Sequence, residues 1–174
     1  MKTTLNKIRK YGPCADGWEK LLSYLGKTKA DDEEISILTI LDSNGLEDAI
    51  WCLRAVEGKD REIRLYAVWC ARQVQHLMTN QRSIDALDVA ERYANGQATQ
   101  DELNAAMAAA WEAIRDSADA AGEAAAWAAG AAAWSSATWA AWSAAEAAAW
   151  DAARAKQEAE LRRICGEFSG VTQI

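Results

Sequence analysis

Three residue types are nearly missing from this chain. Proline, phenylalanine and histidine each occur once in 174 residues. With Pro13 alone, little interrupts a helix, and frequent helix start and stop signals point to an all-α protein. With His76 alone, and with Cys14, Cys52, Cys70 and Cys165 scattered without a C-x-x-C pair, a zinc site of ordinary spacing is not available. Three of the cysteines fall in helical patterns and read as small buried apolar residues of a chain in a reducing, cytoplasmic compartment.

Positive charge is short as well. Lys and Arg total 19 against 26 Asp and Glu, a formal net charge of −7. Neutralising phosphates needs clustered Lys and Arg, so nucleic acid is a poor partner. A basic protein, or a cationic patch on one, fits the sign. The opening MKTTLNKIRKYG has no apolar core region, so no secretory signal is expected. Residues 124–145 are uncharged and long enough to span a bilayer. They hold Ala, Ser, Thr, Gly and Trp without aliphatic residues, and their indoles are spread along the run, so no membrane partner is expected.

What is abundant is alanine. A tract over residues 105–155 is studded with Trp111, Trp127, Trp134, Trp139, Trp142 and Trp150 and has almost no Leu, Ile, Val or Phe. Alanine is the best helix former, and the indoles are the only large anchors available to such a helix. Trp127 and Trp134 fall within about 20° of each other at helical pitch, as do Trp139 and Trp150, but the two pairs point to different sides. Either the tract is one helix buried all round, or it breaks into an antiparallel hairpin near Gly130 or Ser135, or one pair is exposed as an oligomer or partner anchor.

Ahead of the tract the spacing predicts six helices. The first covers 4–11, stopped by Gly12-Pro13; the second runs from about Cys14 to Leu25. Asp31-Asp32-Glu33-Glu34 is expected to start a third, with Ile35, Leu38 and Leu41 as its core stripe. Asn44-x-x-Glu47 resembles a capping box for a fourth, reaching about Val56, with Leu46, Ala49, Ile50 and Leu53 on its buried face. A fifth is expected over about 60–79, with Ile63, Ala67, Cys70, Val74 and Leu77 inward, and a sixth over about 83–94. Thr99-x-x-Glu102 is a capping box for the helix that enters the tract. Nothing reads as a strand. The sequence AIWCLR at 49–54 echoes AVWCAR at 67–72, as two helices filling equivalent packing positions would.

One constellation stands out as a site. At about 100° per residue, Arg61, Arg64, Arg72 and Gln75 cluster roughly opposite the apolar stripe of the fifth helix. Trp69 and His76 border that side, and Tyr66 sits nearer the core. Trp51 and Arg54 lie off the stripe of the fourth helix, and Arg82 follows closely. Guanidinium forks with aromatic walls suit carboxylate or phosphate recognition. The competing reading pairs these arginines with Asp48, Asp60, Asp85 or Asp88. Catalytic signals are missing: His76 stands alone, Asp85, Asp88 and Glu91 read as a solvated face, and no nucleophile elbow, Walker loop or dinucleotide fingerprint occurs. No enzyme, cofactor or metal is expected.

Four segments carry a family resemblance: YGPCADGWEKLL, RLYAVWCARQV, IDALDVAERYANGQATQDELNAAMAAAWEA and the closing AELRRI. Together with the alanine–tryptophan tract they resemble the Imm5-like family of immunity proteins, over roughly Lys10 to Cys165. The turn Ala94–Thr99 followed by Glu102-Leu103 is the most specific part. The resemblance implies a protein that binds and neutralises a toxin of bacterial competition. Similar sequences also occur in bacteriophages, where it would imply a counter-defence binder.

The expectation is therefore one all-α domain over residues 1–165 with a flexible tail over 166–174. It would be a compact bundle of about seven to eight helices with an Ala/Trp-rich C-terminal hairpin. Its expected role is non-enzymatic binding of a protein toxin or effector. The alternative is sequestration of a small anionic, nucleotide-type signal by the Arg/Trp patch, and homo-oligomerisation is left open.

Overall fold

The computed structural model describes residues 1–117, 126, 143 and 150–166. By Cα proximity the chain divides into two units, Met1–Lys59 with Leu161–Ile174, and Asp60–Glu160. The fold is all-α with one small sheet: eight α-helices stand among the described residues.

In the first unit, strand β1 (Lys2–Thr4) pairs antiparallel with β2 (Glu34–Ser36), Thr3 opposite Ile35. Each strand runs straight into a helix, α1 (Leu5–Arg9) and α3 (Ile37–Asn44). The switch is made by a hydroxyl at each junction. The Thr4 side chain accepts from the Lys7 N–H and that of Ser36 from the Leu38 N–H, satisfying donors that a helix start leaves open. Helix α2 (Ala15–Tyr24) packs on α3, and α3 packs on α4 (Leu46–Cys52), which a 3-10 turn (Leu53–Ala55) extends. Leu5, Ile8, Ile37, Ile40, Ile50 and Leu53 form the core. The end of the last helix, α8 (Trp150–Gly166), adds Leu161, Ile164 and Cys165 to the buried residues, with Arg162 bound to Asp42 at 2.8 Å.

The second unit is built on α5 (Asp60–Arg72), α6 (Gln81–Ala94) and α7 (Gln100–Ser117), each packed antiparallel on the next. The direction is read from the pairs that cross between them. Arg61 at the start of α5 reaches Asn95 just past α6, and Arg92 near the end of α6 reaches Glu102 at the start of α7. The α6–α7 turn carries the expected capping box. The Glu102 N–H donates to Thr99 Oγ1 at 3.2 Å, and the Thr99 N–H donates to Glu102 Oε2 at 2.7 Å.

Several local expectations are corrected. A strand pair exists where none was expected, because Ile35 is buried by pairing rather than by a helix face. The acidic run therefore precedes α3 instead of starting it. Asp31 accepts from Lys27, and Glu34 binds Lys2 across the sheet at 2.9 Å. Asn44 does not cap α4, whose first turn follows Gly45 at φ 97°, a conformation open to glycine. The fifth helix stops at Arg72, and a 3-10 turn (Gln75–Leu77) replaces its last turns, so Leu77 is exposed rather than inward. The hairpin of the alanine tract, its four central tryptophans and the tail lie outside the described residues, except Gly166. No described helix is long and apolar enough to cross a membrane.

The AIWCLR echo has structural content. Ala49 and Ala67, Ile50 and Val68, Cys52 and Cys70, and Leu53 and Ala71 are all buried, while both tryptophans and both arginines are half-buried. One copy stands in each unit. The same six-residue pattern thus solves the same burial problem twice.

Candidate functional site

The first unit holds a cleft of about 210 Å³, walled by α1 through α4. Trp18 and Leu21 of α2, Trp51 of α4, Ile8 and Pro13 make it mainly apolar. Its polar groups are Cys14, Asn44 and Asp48. Exposed Cys14 and half-buried Trp18, Asp48 and Trp51 open it to solvent.

The polar corner is tightly organised. Ser43 Oγ donates to Asn44 Oδ1 at 2.7 Å. The Asn44 amide donates in turn to the Gly17 carbonyl at 2.8 Å and to Asp48 Oδ2 at 2.7 Å. Gly17 makes room for this approach: a Cβ there would lie 2.7 Å from Asp48 Oδ2 and 3.0 Å from Cys14 Sγ, so the Asp48 side chain would have to shift. Among the described residues Asp48 has no cation within ion-pair distance and its second oxygen accepts no hydrogen bond. Its charge is felt on the cleft wall. Burial pushes the Cys52 thiol up to about 12, and Asp48 raises it further against a smaller opposing effect of Arg54.

Of the nine residues expected to form a site, only Trp51 lines this cleft. Arg54 lies over its ring, 4.0 Å from the centroid, and donates through Nε to the Trp51 carbonyl at 2.8 Å. Burial lowers the pKa of this guanidinium. The other seven are in the second unit. Arg72 is bound to Asp88 at 2.7 Å, to Glu91 at 2.9 Å and to Gln75 at 2.8 Å. Arg61 donates to Asn95 Oδ1 at 2.7 Å, and Arg64 lies over the Tyr93 ring at 4.9 Å. Arg82 bonds Asn80 Oδ1 and approaches Glu112 at 3.9 Å. Tyr66 is buried, donates to the Gln157 carbonyl at 3.2 Å and stacks with half-buried Trp69. His76 is exposed on the 3-10 turn, displaced from the helical face on which the expectation placed it.

The structure thus gives these arginines intramolecular partners, Asp88 among those expected. It also brings forward Cys14, Trp18, Asn44 and Asp48, which the sequence reading did not single out as a site. Trp18 falls three residues before Leu21 on one helical face, a weak signal. The approach of Gly17 to Asp48, 31 residues apart in sequence, left none. Among the described residues no group of three His, Cys, Asp or Glu could hold a metal ion. No family model, curated protein or solved structure matches this chain.

Proposed function

We propose that this chain is a non-enzymatic binding protein of the immunity type, which neutralises a protein toxin or effector by forming a complex with it. The observation that carries the reading is the solvent-open cleft of the first unit. Two tryptophans wall it, and within it stands a carboxylate, one oxygen of which has no partner among the described residues. Indole surfaces supply much of the binding energy in protein interfaces, and a charge beside them supplies selectivity. A net charge of −7 favours encounter with a basic partner. The resemblance to Imm5-like immunity proteins points the same way.

Sequestration of a small anion is the weaker alternative. Arg72 is already neutralised by two carboxylates, and Arg61, Arg64 and Arg82 are committed to Asn95, Tyr93 and Asn80. An anionic ligand would first have to displace these contacts.

The test is native mass spectrometry of the chain purified gently from its source cells, followed by co-expression with any polypeptide found. A stoichiometric partner that arrests growth alone, and not together with this chain, is the expected result. A bound small anion that is lost in Arg64→Ala or Arg72→Ala would replace the proposal with the alternative.

A further inference from the structure

The cleft in the first unit combines apolar walls with one carboxylate. Its walls are apolar and aromatic, which favours a hydrocarbon stem. Its volume, about 210 Å³, is below the ~300 Å³ at which pockets for drug-sized ligands begin, and suits one side chain. Trp18 lines the cleft half-buried and has no ring or cation partner among the described residues. Asp48 is negative, held in place by Asn44, and lacks a counter-ion among the described residues. A carboxylate beside indole faces attracts a cation twice, by Coulomb attraction and through the ring quadrupole.

The remaining hydrogen-bonding capacity narrows the cation. Oδ2 of Asp48 already accepts from Asn44. A guanidinium fork binds best across both oxygens of a carboxylate, whereas an ammonium is a point charge satisfied by one. Arg54 covers Trp51 but does not line the cleft.

We infer that the Trp18–Trp51 cleft is a receptor for a lysine side chain of the protein partner, with the stem against Trp18, Trp51 and Leu21 and the ammonium on the free oxygen of Asp48. The inference rests on the binding-protein reading for the source of the lysine. The cleft's own chemistry can be tested without that partner.

The probe is lysine blocked at both ends as N-acetyl-lysine amide, titrated into the 15N-labelled full chain. The indole N–H resonances of Trp18 and Trp51 are followed. Saturable shifts with a dissociation constant on the order of 1–10 mM are expected for so small a ligand. Blocked norleucine, which keeps the stem and loses the charge, should bind at least about fivefold more weakly. Asp48→Asn should weaken blocked lysine by a similar factor while leaving norleucine unchanged. Trp18→Leu, which keeps an apolar wall and removes the ring, gives the same comparison at the Trp51 resonance should Asp48→Asn prove unstable. The inference is overturned if norleucine binds as tightly as lysine, if blocked arginine binds more tightly than lysine, or if no shift saturates below about 100 mM. Failure of the immunity reading shows differently: lysine then binds as described, but no growth-arresting partner is found. A partner whose affinity is untouched by Asp48→Asn would keep the immunity reading and remove this one.

Discussion

At the scale of single residues, the cysteines divide sharply. Cys52, Cys70 and Cys165 are buried, and all four thiols are free. Burial pushes Cys52 and Cys70 up to about 12 and raises Cys165 as well, so the reactive thiolate is suppressed at all three. Cys14 alone is exposed. A colorimetric thiol assay at neutral pH should therefore titrate one group in the native protein and four after denaturation. Rapid reaction of more than one native thiol would show that the core opens. The cysteine contrast was legible in part: three fall in helical patterns with apolar neighbours, whereas Cys14 follows Gly12-Pro13. The arginines were less legible. Helical projection places Arg61, Arg64 and Arg72 on the polar side of α5, and Asp88 is among the carboxylates weighed as their partners, but it does not reveal that Glu91, Asn95 and Tyr93 of the neighbouring segment also take them up.

At the scale of elements, start signals were readable where the bonds that satisfy them are local. Thr99 and Glu102 are three residues apart, and their reciprocal bonds form as the spacing implies. Thr99→Ala should cost about 1 kcal/mol, measured as a shift of the urea midpoint at constant slope. The bonds from Thr99, with Arg92 adding to them, hold the Glu102 carboxyl below its ordinary 4.5. Glu102 thus carries fewer protons folded than unfolded. Its contribution is present above about pH 4.5 and is lost as the pH falls through the lowered folded value. Between pH 7 and pH 3 the native chain should lose more stability than Glu102→Gln, and parallel losses would show that the carboxylate is not stabilised by folding. Start signals failed where a distant segment intervened. The acidic run at 31–34 carries charge that suits a helix start, yet residues 34–36 pair with residues 2–4 and delay the helix to Ile37. The fifth helix failed at its other end, where the chain tightens into a 3-10 turn and takes His76 off the helical face.

At the scale of the whole molecule, charge is the property with a direct consequence. The excess of carboxylates gives −7, and many of the ion pairs, such as Lys2–Glu34 and Lys7–Glu57, are exposed. Such pairs add little to stability and are screened by salt. The same charge should speed encounter with a basic partner. Raising ionic strength from about 0.05 M to 0.5 M is expected to slow association by tenfold or more while changing dissociation little, as stopped-flow mixing would report. An association rate indifferent to salt would remove electrostatic steering from the account.

What the sequence determined by itself is the all-α class, the main helices and the sign of the surface charge. These follow from composition and from contacts within a few residues, which a linear reading samples completely. What only the tertiary structure decided is the strand pair and the cleft. Both need segments far apart in the chain to meet: Thr3 with Ile35, and Gly17 with Asn44 and Asp48. No local propensity encodes such a meeting, because its stabilisation comes from burial and hydrogen bonds that exist only once the surrounding helices have packed.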